Sequence, residues 1–185
     1  MARSTGFRLL ADALRQAGVS RVHGTPRALD PEAWRAISKV GLDGAAAATE
    51  IGAAFMAIGE ALRSGRPSVV ALGSRPAVAL AGAALAQARE DGVPLVILVE
   101  PPGSRPRDAL DQDPELGVLV KGMIPVPRPE RIGDAVASAL HHALSGAPGP
   151  VAVIVPRDVL GGQPLAGVPS PERRQTTAPR DKDHA

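Results

Sequence analysis

The sequence predicts an α/β fold: a three-layer, mostly parallel six-stranded sheet with helices on both faces. Three observations predict it. Helix-period segments alternate with short apolar runs from residue 6 to residue 156. Several of those runs are apolar at every position, as strands buried on both faces are. Hydrophobic residues make up 44% of the chain but aromatics only 2%, so the core is built from Ala, Val, Leu and Ile, whose small side chains favour close, layered packing.

The elements follow in order. Residues 6–17 place Phe7, Leu10, Leu14 and Ala17 at helical spacing, and Gly18 ends that helix. A short strand spans 19–24 and runs into a turn at Gly24-Thr25-Pro26. A helix over 31–40 starts on Asp30 as N-cap with Pro31 in its first position. A short strand over 44–48 precedes a helix over 50–64 that ends near Gly65. The continuous, β-branched run 67–73 is a strand, 75–90 a helix stopped by Gly92, and 93–100 the clearest buried strand. Residues 101–114 form a loop rich in Pro and Asp, and 116–122 a short helix. Residues 122–126 make an edge strand, since Pro125 cannot serve a central one. A helix over 129–144 and a last strand over 149–156 complete one domain, residues 1–160. Residues 161–185, with four prolines and mixed charge, read as a flexible tail.

Composition excludes several functions. The chain of 185 residues has no cysteine, so disulfide and thiolate chemistry are absent. Arg8, Asp12 and Arg15 interrupt the first helix, which rules out a signal peptide there, and no apolar run reaches transmembrane length. We therefore expect a cytoplasmic protein with no membrane partner. The formal net charge is +2 with scattered arginines. Almost no aromatics are available to stack on bases, so nucleic acid is not an expected partner. No GxGxxG follows a strand and no GxxxxGK[ST] or Gly-x-Ser-x-Gly occurs, which removes the usual dinucleotide, P-loop and serine-hydrolase sites. His141 and His142 sit late in a helix, where imidazolium suits the macrodipole better than it suggests a metal site.

In such folds ligands bind at the carboxyl ends of the strands, here the loops 23–30, 73–77 and 100–114. One acid stands out beside them. Glu50 lies in the run AAAATEIGAAFMA. Two accounts fit it: an ordinary first-turn acid behind the N-cap Thr49, or a catalytic acid at a strand-to-helix junction, where Gly52, Ala53 and Ala54 leave room for a ligand or partner.

Taken together, residues 6–160 resemble the pyrimidine-binding, N-terminal domain of thiamine-diphosphate enzymes of the acetolactate synthase and 2-oxo-acid decarboxylase group. The matching stretches come in order: LRQAGVSRVHGTP (14–26), TEIGAAFMAIGEALRSGRPSVVALGS (49–74), ALAGAALAQAREDGVPLVILVE (79–100), DQDPELGVLVKGMIPV (111–126) and GAPGPVAVIVPRDVL (146–160). The resemblance implies that Glu50 is the catalytic glutamate that hydrogen-bonds N1′ of the cofactor's aminopyrimidine. It implies that Gly24, Pro26 and Ser74 lie with it in the cofactor pocket and that Gln112 and His23 face the substrate, a small 2-oxo acid; Arg27 and Arg75, where the sequence departs from the family, are candidates to bind that substrate by their own chemistry. It gives Lys121 a packing or pairing role.

The sequence departs from the family pattern at three points. The family's Pro-Gly is Pro26-Arg27, its Gly-Pro-Gly is Ser74-Arg75-Pro76, and the residue before the glutamate, often His, is Thr49. Arginines there can hold a carboxylate or phosphonate by bidentate bonds, and they equally fit solvated turns or a lost site. The Gly-Asp-Gly…Asn motif that binds Mg²⁺ and diphosphate in that family is missing. The expectation is a subunit of a split decarboxylase or carboligase. A second, diphosphate-binding subunit would hold the Mg²⁺, thiamine diphosphate would be shared between them, and the assembly would be α₂β₂. The competing expectations are a non-catalytic interaction or regulatory protein and, more weakly, a Rossmann-like small-molecule binder.

Overall fold

The computed structural model describes residues 5–101 and 114–162. Among these residues six strands form one sheet: β1 Arg21–Gly24, β2 Asp43–Ala46, β3 Ser68–Ala71, β4 Leu95–Val99, β5 Gly122–Pro125 and β6 Pro150–Ile154. Their order is β2-β1-β3-β4-β6-β5. Every pairing is parallel, for example His23 opposite Ala45 on one side and Val70 on the other. The expected three-layer α/β architecture is borne out.

Among the described residues eight helices cover the sheet: α1 Gly6–Gln16, α2 Pro31–Lys39, α3 Glu50–Ser64, α4 Arg75–Leu80, α5 Gly82–Glu90, α6 Pro114–Leu119, α7 Ile132–Leu144 and α8 Arg157–Gly161. Two hydrophobic cores result. Leu10 and Leu14 of α1, Ile37 of α2 and Ile132 and Val136 of α7 pack on one face of the sheet, over Val22, Val96 and Val151. Ala53 and Ala57 of α3, Val78 of α4, Leu85 of α5 and Leu116 of α6 pack on the other, over Val70, Ile97 and Ile154. The faces follow from alternation along each strand: Val69 and Val70 join opposite cores.

The differences from the sequence reading are local. The helix expected over 75–90 is two, because the chain turns tightly at Ala81, whose N–H is shared between the carbonyls of Ala77 and Val78 at 3.1 Å each. Gly82 opens the second helix, and a Cβ placed on it would lie 3.9 Å from the Leu119 side chain. The helix expected over 129–144 begins with a 3-10 turn, Pro129–Arg131. Strand β2 starts one residue earlier than expected and is largely exposed, as an edge. Helix α8 was not expected: its five residues are too few to show a period. It is tied back to the opening helix, since Gly6 N–H donates to Gly162 O at 3.1 Å. Beyond Gly162 the expected tail lies outside the described residues.

Lys121 has a clear role in the fold. Its ammonium donates to the carbonyls of Ser145 and Ala147 at 2.6 and 2.7 Å, which places a cation at the carboxyl end of α7. Among the described residues no helix is long and apolar enough to cross a membrane.

Candidate functional site

The strand order reverses between β1 and β3: the chain leaves β1 to add β2 on one side and crosses back to add β3 on the other. Open α/β sheets bind ligands outside the carboxyl ends of strands at such a point. Two loops meet there. The first, Thr25–Asp30, turns tightly, with Ala28 N–H donating to Thr25 O at 3.0 Å. The second begins at Gly73, with φ +53°, and a Cβ placed on it would lie 2.0 Å from Ala28 O. Only glycine lets these two backbones touch.

Glu50 enters from the neighbouring junction. Thr49, in extended conformation, caps α3 by accepting from Gly52 N–H at 3.2 Å. That cap makes Glu50 the first helical residue and points its carboxylate off the carboxyl end of the sheet. Thr25 Oγ1 donates to Glu50 Oε1 at 3.4 Å, while Oε2 accepts no hydrogen bond from the described residues. Thr25 is buried and Glu50 half-buried. The carboxylate is therefore held by one oxygen at a helix N-terminus with the other available to an N–H donor. A protonated ring nitrogen such as an aminopyrimidine offers that donor, so the residues present fit the pyrimidine end of thiamine diphosphate.

The other expected residues fall in different places. Pro26 and Arg27 are exposed on the turn beside Thr25. Ser74 is the N-cap of α4, its Oγ accepting from Ala77 N–H at 3.3 Å, and Arg75, also exposed, is that helix's first residue. Gly24 has a packing role: a Cβ there would lie 3.1 Å from the Trp34 ring and 3.3 Å from the Ala28 side chain. Gln112 lies outside the described residues.

His23 is buried within β1, 3% exposed, on the face covered by α3. Its Nε2 is hydrogen-bonded to Glu60 Oε2 of α3, and Ser68 Oγ at the start of β3 donates to the same oxygen at 3.2 Å. Burial pushes the Glu60 carboxyl up, but the bonds from His23 and Ser68, helped by the charge of Arg21, outweigh it and hold the group below its ordinary 4.5. A depressed folded value means that this contribution to stability is full above the unfolded pKa and is lost as pH falls through the folded one. In urea melts, the stability gap between the native chain and Glu60→Gln is expected to narrow as pH falls from about 5 to about 3. A gap that stays constant over that interval would refute the assignment.

Sequence reasoning missed a second polar cluster at the same end of the sheet. Glu100, buried just past β4, accepts from Asp30 N–H at 2.9 Å and from Arg157 Nε at 2.8 Å, and Arg157 also approaches Asp30 at 3.5 Å. The paired carboxylate at Glu100 raises the Arg157 pKa further, with Asp30 adding to it. The signal in the sequence was a carboxylate closing an otherwise apolar strand. Three loops are thereby tied together beside the site. Among the described residues no group of acids and histidines could hold a metal ion. A cleft of about 260 Å³ lies between α1 and α2, away from Glu50. Its Arg8 and Arg35 are already paired with Asp12 and Glu32.

Comparison with known proteins agrees with this fold. The chain is 32% identical over 173 residues to the acetolactate synthase of Arthrospira platensis, covering 87% of this chain and 29% of that one. It is 30% identical over 163 residues to the acetolactate synthase isozyme 1 large subunit of Escherichia coli K12, covering 85% and 29%. It is 29% identical over 168 residues to the acetolactate synthase of Bacillus subtilis, covering 86% and 29%. It thus spans under a third of the length of these relatives. Residues 4–118, which contain the β1 and β3 loops and Glu50, match the family described as thiamine pyrophosphate enzyme, N-terminal TPP binding domain, and the chain belongs to that family.

Proposed function

We propose that this chain supplies the pyrimidine-binding half of a thiamine-diphosphate-dependent 2-oxo-acid decarboxylase or carboligase of the acetolactate synthase type, acting in the cytoplasm. The observation that carries the proposal is the Glu50 carboxylate, capped into place by Thr49 and held on one oxygen by Thr25. The cofactor, when bound, supplies the electron sink for cleaving a bond next to a carbonyl. Glu50 accepts from its ring nitrogen and holds a proton there, and the loops of β1 and β3 wall the pocket. Arg27, exposed beside Thr25, is the cation offered to the substrate carboxylate.

A second body, carrying Mg²⁺ and the diphosphate, completes the site in an α₂β₂ assembly. The outer side of the α3 layer supports this. Phe55, Met56 and Leu62 on α3, Leu80 on α4 and Val118 on α6 are all exposed. Exposed apolar side chains on this layer, beginning on the helix that starts at Glu50, suit a covering partner.

Titration calorimetry tests the reading. Thiamine diphosphate with Mg²⁺ is added to the chain, to a diphosphate-binding protein of the same source, and to their mixture, and 2-oxo-acid turnover is followed in parallel. Stoichiometric binding and turnover are expected only in the mixture. The altered turns at Arg27 and Arg75 favour one other reading, a non-catalytic regulatory domain. A mixture that associates without gaining a cofactor site would establish that reading and exclude catalysis.

A further inference from the structure

The face of α3 that packs on the sheet is nearly smooth. Its buried residues are Ala53, Ala54, Ala57, Ile58 and Ala61, four alanines and one larger side chain. Ridges of single methyl groups are shallow, so apolar packing alone specifies the position of such a helix along the sheet weakly. Glu60 interrupts this surface with the one carboxylate that faces β1 and β3 from the helix interior, and it accepts from His23 on one strand and Ser68 on the other.

His23 and Thr25 are two residues apart, on the same side of the β1 chain, and each meets α3. Thr25 meets Glu50 and His23 meets Glu60. These two acids are ten residues apart, about 15 Å along the helix axis. A carboxylate only accepts, so His23 donates through Nε2–H, and Nδ1 is the ring's other polar atom. That atom is buried and has no partner, so the pairing with Glu60 is what holds the ring polar and buried.

We infer that His23, Glu60 and Ser68 form a register pin: directional bonds that fix α3 along β1 and β3 and thereby set Glu50 against Thr25. His23 is then a positioning residue rather than one that meets substrate. The best-attested use of buried polar groups is this kind of choice between otherwise similar packings. The consequence for turnover rests on the proposed function, but the placement of the helix does not.

The test uses His23→Phe with Glu60→Leu in one chain, Glu60→Gln, and Ser68→Ala. Amide hydrogen exchange is read on each chain, and kcat and KM on the pair reconstituted with its diphosphate-binding partner. Replacing both partners by apolar groups leaves the melting temperature near that of the native chain, while amides of Thr25 and of residues 50–54 exchange about tenfold faster. In the reconstituted pair kcat falls by a similar factor with KM for the 2-oxo acid unchanged. Glu60→Gln keeps its acceptor for both donors and stays close to native on both readouts. Native exchange at Thr25 and residues 50–54 in the double variant overturns the pin. If the double variant does not fold, Ser68→Ala decides: about threefold faster exchange at those amides supports the pin and no change overturns it. Faster exchange together with no turnover even in the native pair would uphold the pin while refuting the cofactor reading.

Discussion

Glu50→Gln is expected to lower 2-oxo-acid turnover of the reconstituted enzyme by about 10²–10⁴-fold, the range lost with a positioned acid–base group. Gln is nearly isosteric and can still receive the Thr25 bond, so the pocket keeps its shape. It carries no charge and cannot hold a proton at the cofactor nitrogen, so the loss falls on kcat. The fold is affected far less: a first-turn acid contributes about 0.3–1 kcal/mol through the helix dipole. Thr49→Ala reverses the pattern. It removes the cap on Gly52 N–H, costs about 1 kcal/mol of stability, and leaves the carboxylate in place. Steady-state kinetics beside thermal melts separate the two. Turnover within a few-fold of native in Glu50→Gln would remove the acid from the mechanism and leave it a helix-start residue.

Gly73→Ala is the substitution expected to harm the fold most. The residue has φ +53° and an added Cβ would sit 2.0 Å from Ala28 O and 2.7 Å from Ala28 C. The left-handed backbone costs about 1–2 kcal/mol for a residue with a side chain, and forcing the two loops apart adds about 1–3 kcal/mol. For a chain of this size the sum lowers the melting temperature by about 5–15 °C. Gly41→Ala is the control: it has φ +75° with nothing within 4 Å, so only the backbone cost applies. If Gly73→Ala melts no lower than Gly41→Ala, the loops do not press on each other as described. Because the displaced loop is the one that carries Thr25 and Arg27, cofactor affinity in the reconstituted pair falls along with stability.

Both predictions concern residues that the sequence marked out unequally. Glu50 was conspicuous as a lone acid among small residues, and Thr49 before it carried a recognisable capping signal. Gly73 read as the end of a strand and the start of a loop at the ligand-binding edge, but not as a backbone contact, because its partner, Ala28, is forty-five positions away and belongs to another loop. Glu60 read as one more polar residue on a helix, and nothing local distinguishes an acid facing solvent from one that meets His23. Glu100 and Arg157 likewise come together only because β4 and β6 are neighbours in the sheet.

The sequence by itself determined the class of fold and its elements, apart from α8 and the break at Ala81. Periodicity, caps such as Asp30 and stops such as Gly65 act over a few residues, and continuous apolar strands imply a parallel sheet buried on both faces. It also singled out Glu50, since a capped helix start is a local feature. Only the tertiary structure decided which side chains meet Glu50, that His23 meets Glu60 of α3, and that Gly24 and Gly73 are glycines because Trp34 and Ala28 lie against them. Those outcomes depend on strand order and on which face of each strand a residue occupies. Contacts between distant segments set them, and no short window of sequence contains both partners.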